Sequence, residues 1–384
     1  MSGRAQGPAP DRRGLLKGAA AAAVFGGAPM ISTGAYALDG GTTTYSRRAV
    51  DLVQGAMVID MLAPLKLDFR PEYFAGPLSA QDEADFRASG ITGFHQAVGF
   101  GDPNAYETAL AYFAAWQGFA GRNAHVFSLV DRAADLDRAK ADGKCAVIMG
   151  VQNSDHFRTV ADVKLFHQLG QRCSQLTYNS QNRLGSGSTE RVDGGLTDYG
   201  LQIMEAMNAV GMMIDVSHCG DRTTLDAIAH STRPVAITHS NCRALVDHPR
   251  VKTDEAIRAM AARGGVMGIT GVRMFVRDRE PVGVAHVADH IDHVVRLTGI
   301  EHVGIGSDAD LNGYDDMPAD QYEALKAGYK STYAFRDKID TDGFDHPRKV
   351  YDLTEELIRR RYSDDNIRAV LGGNFRRLLA EIIG

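Results

Sequence analysis

The chain has 384 residues, enough for one large domain with a full core. Its 44% hydrophobic and 23% charged residues are ordinary for a globular protein and exclude a disordered or fibrous class. A formal charge of −6 with no basic block offers nothing to a nucleic-acid partner.

The first segment reads as an address. Asp11-Arg-Arg-Gly-Leu-Leu-Lys17 precedes an alanine-rich apolar run from Gly18 to Met30. Ala35-Tyr-Ala37 then places small residues where a signal peptidase reads. The pattern predicts a twin-arginine-type signal peptide over 1–37. The apolar run is too short and too alanine-rich for a membrane span, and no later stretch approaches the required length. The mature chain is expected to be one domain over 38–384, in the periplasm or outside the cell.

Beyond it, apolar runs recur at wide spacing. They are Ala56–Leu62, Ile91–Val98, Cys145–Val151, Arg172–Tyr178, Gly211–His218, Pro234–Ser240, Gly265–Thr270 and His302–Asp308. Such continuous runs suit parallel strands covered on both faces. Val126–Val130 reads as a short excursion before the third. Helical patterns fill the gaps, with N-cap signals at Thr197, Thr253 and Ser363. Eight βα units without a composition break predict an α/β protein, a single (β/α)8 TIM barrel. Tyr314 to Pro347 is polar and aromatic without a strand signal, which predicts a helical insertion beside the barrel mouth. The four cysteines lie far apart with no CxxC pair, which argues against a zinc ribbon or redox motif. Cys145 and Cys173 fall in strands and read as small buried hydrophobes.

Parallel barrels place their chemistry at the C-terminal ends of the strands. Gly211-Met-Met-Ile-Asp-Val-Ser-His218 and Pro234-Val-Ala-Ile-Thr-His-Ser240 bring His218 and His239 there on consecutive strands. Two neutral imidazoles so placed suit one transition-metal ion, usually zinc. One such histidine alone is more often just a satisfied polar residue. Asp308, in Gly304-Ile-Gly-Ser-Asp308, can bind metal or take a proton. It can also cap a helix, although Asp310 is the better cap. Arg250, in Asp247-His-Pro-Arg250, presents a fork that matches a substrate carboxylate, or a solvated arginine.

Taken in order, Gly195-Leu-Thr-Asp-Tyr-Gly200, Glu205-Ala-Met-Asn208, Asp215-Val-Ser-His218, Thr238-His-Ser240, Gly304-Ile-Gly-Ser-Asp308 and Gly372-Gly-Asn-Phe375 resemble the membrane (renal) dipeptidase family, peptidase family M19. The resemblance runs from about residue 50 to the C-terminus. It implies an amidohydrolase-type barrel, a homodimer and two zinc ions hydrolysing dipeptides. It also implies that His218 and His239 hold one zinc, that Asp308 stands beside the other zinc and the attacking water, and that Arg250 meets the substrate carboxylate.

The first half departs from that pattern. The family's His-x-Asp pair after the first strand falls on Leu62 and Pro64 in Asp60-Met-Leu-Ala-Pro64. Its bridging glutamate falls on Gln152, and its substrate-facing histidine on Tyr178 in Thr177-Tyr-Asn179. Too few anionic ligands are left to offset two dications. The expectation is an exported, dipeptidase-like metallohydrolase with one zinc ion or none, with His95 and Asp60 as possible substitute ligands. Asp308 and Tyr178 are the catalytic candidates, and Arg250, Gln152 and Asn179 would bind a small peptide-like substrate. The alternative is a metal-free homologue that binds or matures a peptide-like ligand through Tyr178 and Arg250.

Overall fold

The computed structural model describes residues 35–38, 41–67, 73–99, 101 and 103–384. The expected signal segment up to residue 34 lies outside the described residues. The chain divides into two compact units, Met1–Arg47 and Arg48–Gly384. In the first, Ala35–Leu38 pairs antiparallel with Gly41–Thr44.

The second unit holds eight parallel strands. In chain order they are β1 (Ile59–Asp60), β2 (Gly93–Val98), β3 (Cys145–Val151), β4 (Gln171–Gln175), β5 (Met213–Asp215), β6 (Ile237–Ser240), β7 (Met267–Ile269) and β8 (Val303–Ile305). Each pairs with its chain neighbour, and β8 pairs with β1. A parallel bridge from Asp215 to Ala236 joins β5 to β6, so the ring is nearly closed. Helices separate the strands, and the expected (β/α)8 barrel is observed. The extra strand Phe127–Leu129 pairs with β3, as the short excursion before it predicts.

The helix starts follow the caps. Thr197, Thr253 and Ser363 accept from the main-chain nitrogens of Gly200, Ala256 and Asn366, which removes one orphan donor at each helix start. The last helix, Asn374–Ile383, turns Phe375, Leu378, Leu379 and Ile382 into one core cluster with Ile59, Ile148, Met213 and Val266. It covers the N-terminal ends of the strands: Ile382 carbonyl oxygen accepts from Arg233, and Gly384 carbonyl oxygen from Ala133. Chemistry is thereby confined to the opposite end.

Strands β1, β5 and β8 end earlier than their apolar runs suggest, because side chains turn the backbone. Asp60 Oδ1 accepts from Leu62 N at 3.3 Å and from Ser307 N, just past the adjacent β8, at 2.7 Å, ending β1 and β8. Asp215 Oδ1 accepts from Ser217 N at 2.9 Å and ends β5. The expected insertion consists of the short turns Gly313–Asp316 and Ser331–Tyr333 flanking a helix, Ala319–Gly328. All four cysteines are buried and unpaired.

Candidate active site at the barrel mouth

The site is built on one buried carboxyl group. Asp215 accepts from Ser217 N, Ser217 Oγ and Thr238 N through Oδ1, and from Thr238 Oγ1 through Oδ2 at 2.6 Å. It therefore ties the turn after β5 to β6. His239 lies within β6, while His218 comes three residues after β5. Their Nε2 atoms stand 2.9 Å apart.

The opposite ring nitrogens decide what those two atoms present. Thr238 Oγ1 gives its proton to Asp215, so it accepts from His239 Nδ1 at 2.8 Å. The Asn179 amide oxygen accepts from His218 Nδ1 at 2.7 Å. Each ring thus carries its proton on Nδ1 and turns an Nε2 lone pair toward the other. Burial holds both histidines well below their usual pKa, and the nearby Arg250 charge pushes the same way. Two neutral rings with facing lone pairs are a place for a cation.

The fit of zinc can be judged from these atoms. Two imidazole nitrogens on one tetrahedral zinc lie about 3.3 Å apart, so the observed pair needs little movement to share one ion. Among the described residues, no group of three or more His, Cys, Asp or Glu side chains is placed to hold a metal. The pair fits half the shell of one ion and does not fit two. Leu62 is fully buried and its carbonyl accepts from Asp308 N at 2.8 Å, while Pro64 and Gln152 lie on the cavity wall. His95 Nδ1 donates to the Met61 carbonyl at 2.9 Å. His95 Nε2 and Asp60 Oδ2 are buried without a partner, yet neither completes a ligand cluster with the histidine pair.

His218, Tyr178, Asp308 and Gln152 share the wall of one cavity of about 930 Å³. Asp308 sits in the left-handed region at φ 59°, which an aspartate tolerates better than most side chains and which is common where a side chain must be aimed. Burial raises its pKa to about 7; Arg250 opposes the rise, and Asp60 and Asp215 add to it. A carboxyl that titrates near neutrality can take or give a proton. Gln152 Nε2 donates to the Ala97 carbonyl at 3.3 Å.

Tyr178 stacks on His218 with ring centroids 4.1 Å apart. Its hydroxyl meets that of Tyr329 at 3.1 Å. Burial pushes the Tyr178 hydroxyl well above its ordinary pKa, so it can donate a proton but does not ionise readily. Tyr329 stacks in turn on Tyr333 at 4.1 Å. The insertion therefore closes over the site, and Tyr314, Tyr329 and Tyr333 join its wall. None of these three stands out in the sequence. Only the aromatic content of the segment signals them.

Arg250, His239 and Asn179 are not on the described cavity wall. Arg250 is fully buried, and its guanidinium donates to the main-chain oxygens of Ser217 at 2.5 Å and His239 at 3.0 Å. Its Nε is unpaired. The arginine thus braces both histidine-bearing segments, β6 and the turn after β5, from behind.

A barrel of this kind, with paired histidines and a carboxylate at the mouth, defines an amidohydrolase-type fold. The model of the membrane dipeptidase family, peptidase family M19, matches residues 76–327, and the chain belongs to that family. It is 32% identical over 243 residues to dipeptidase verJ of Clonostachys rogersoniana, covering 62% of this chain and 56% of that one. The chain thus spans about half the length of the curated relatives it matches. An amidohydrolase structure from Pseudomonas aeruginosa superposes with a TM-score of 0.76 at 29% identity, covering 87% of this chain and 98% of that one. The probable dipeptidase PvdM from the same organism superposes with a TM-score of 0.73 at 21% identity, covering 88% and 98%, and shares the fold.

Proposed function

We propose that this protein is an exported, dipeptidase-like hydrolase that cleaves a dipeptide or related amide with at most one metal ion. The observation that carries the reading is the pair of Nε2 lone pairs at 2.9 Å beside a cavity that also holds Asp308. His218 and His239 would hold the ion, which would serve as a Lewis acid toward the amide carbonyl. Asp308 would take the proton from attacking water and pass it to the leaving nitrogen. Gln152 would orient the substrate amide, and Asn179 would fix the His218 ring. Tyr178 would donate a hydrogen bond to the reacting group where relatives of this family carry a histidine. Export rests on the Arg12-Arg13 segment and the Ala35-Tyr-Ala37 site, and a homodimer is expected from the family. Among the described residues, no helix is long and apolar enough to cross a membrane.

A second reading has its own support. The histidine pair lacks a third ligand among the described residues, which suits a metal-free homologue that binds or matures a peptide-like ligand around Tyr178. Elemental mass spectrometry on mature protein purified without chelators separates the two. About one zinc per chain, lost in His218→Ala and His239→Ala, supports the hydrolase. No metal after incubation with excess zinc removes the metal-dependent hydrolase and leaves the second reading.

A further inference from the structure

We propose that the cavity takes an amide whose amino side carries a large apolar acyl group, in preference to a free dipeptide. The proposal rests on the hydrolase reading for the amide and on the cavity's own shape and charge for the acyl group. A volume of about 930 Å³ is at the upper end of small-molecule pockets, and a small dipeptide would leave most of it to water.

The cavity continues well past the reactive groups. It reaches the helix Ala105–Arg122, where Thr108, Ala111, Ala115 and Gly118 all lie on its wall. Their spacing of three, four and three places them on one helix face. None of these four extends beyond a γ atom, so they leave room along the helix, with the Tyr112 and Trp116 rings bordering the same space. Phe113 and Phe119 of the same helix are buried in the core, and the buried Trp116 also borders the cavity. Leu325, Gly328 and Phe335 of the insertion supply more of the same apolar wall. This corridor is continuous with His218, Tyr178 and Asp308, so a chain lying in it is attached to whatever is held at the mouth.

Charge gives an independent argument. A free dipeptide brings an ammonium and a carboxylate close to its amide, and each needs a partner once out of water. The charged side chains on the described wall are Asp308 and Arg122. Asp308 is at the reactive end and is needed for the proton. Arg122 is at the helix's far end, with its guanidinium on the Phe74 carbonyl. Arg250, which could take a carboxylate, faces main-chain oxygens behind the wall. A substrate without the ammonium removes half of this mismatch, and an acyl group on that nitrogen points an apolar chain into the corridor.

Isothermal titration of the mature protein with N-decanoyl-Ala-Ala, Ala-Ala and decanoate tests this. Each methylene buried adds up to about fourfold in affinity, so several give more than a hundredfold. The expected result is that N-decanoyl-Ala-Ala binds at least a hundredfold tighter than Ala-Ala and at least tenfold tighter than decanoate. Ala111→Trp and Ala115→Trp fill the corridor without touching the reactive groups. They are expected to cut the decanoyl affinity at least tenfold at an unchanged melting temperature. Equal or tighter binding of Ala-Ala, equal binding of decanoate, or indifference to both tryptophans in folded protein overturns the proposal. The two readings fail separately. Acyl-selective binding without hydrolysis sinks the hydrolase alone. Hydrolysis of Ala-Ala without acyl preference sinks the acyl pocket alone.

Discussion

The guanidinium of Arg250 donates 3.0 Å to the main-chain oxygen of His239, and its other terminal nitrogen donates to that of Ser217, next to His218. One buried cation therefore sets the distance between β6 and the turn after β5, the two segments that carry the histidines. Arg250→Met would leave both oxygens buried without a donor, at a cost of about 2–4 kcal/mol in unfolding free energy by denaturant titration. Arg250→Lys keeps the charge but loses the fork, and is expected to fall between. An unchanged unfolding midpoint in Arg250→Met, with only a raised KM, would show that the side chain serves the substrate and not the scaffold.

Asn179 decides the tautomer of His218, because its amide oxygen accepts from Nδ1 at 2.7 Å. Asn179→Leu removes that acceptor and frees the ring to protonate on Nε2. Zinc affinity, read by competition with a chromophoric chelator, should drop roughly 10–100-fold, the usual cost of losing a partner behind a metal ligand. Asn179→Asp keeps an acceptor and should retain the affinity. If Asn179→Leu binds zinc as well as the parent, the tautomer argument is wrong.

Much of this was legible in the sequence, and the gaps have physical causes. β3 matches its apolar run residue for residue, and three helices start at their caps, because both signals are local. The ends of β1, β5 and β8 were not legible, since they are set by carboxylate bonds of Asp60 and Asp215 to backbone two residues on and, for Asp60, also to Ser307 beside the neighbouring strand. His218, His239 and Asp308 could be picked out as strand-end residues. Tyr329 could not, because its contact with Tyr178 spans 151 positions and depends on how the insertion folds back. The bracing contacts of Arg250 were hidden for the same reason: nothing in Asp247-His-Pro-Arg250 shows that the fork points inward.

Asp308 gives a pH dependence with a definite sign. Its carboxyl is raised from 3.8 to about 7 in the folded protein, by burial first. Between those values the folded state keeps a proton that the unfolded state has lost. Stability therefore falls as pH rises from about 4 to about 7 and levels off above. Asp308→Asn cannot titrate, so its stabilisation over the parent should be larger at pH 8 than at pH 4. If Asp308 is the proton acceptor, kcat/KM should rise with unit slope up to about pH 7, and Asp308→Asn should abolish turnover. A flat difference in melting temperature between parent and variant across that range would refute the shift.

Gly150 tests how closely the barrel interior is built around His95. A Cβ at Gly150 would stand 2.0 Å from His95 Nε2 and 3.0 Å from the Cys173 carbonyl oxygen. The imidazole cannot swing away freely, because Nδ1 holds the Met61 carbonyl at 2.9 Å. Gly150→Ala should therefore overpack β2 against β3 and cost about 1–3 kcal/mol, measured by denaturant unfolding. His95→Ala removes the nearer obstacle but not the carbonyl, so Gly150→Ala should cost less in that background, though still something. The double-mutant cycle should show a coupling above about 0.5 kcal/mol. Strict additivity would mean that the two residues do not share the space, and that His95 points elsewhere in the barrel.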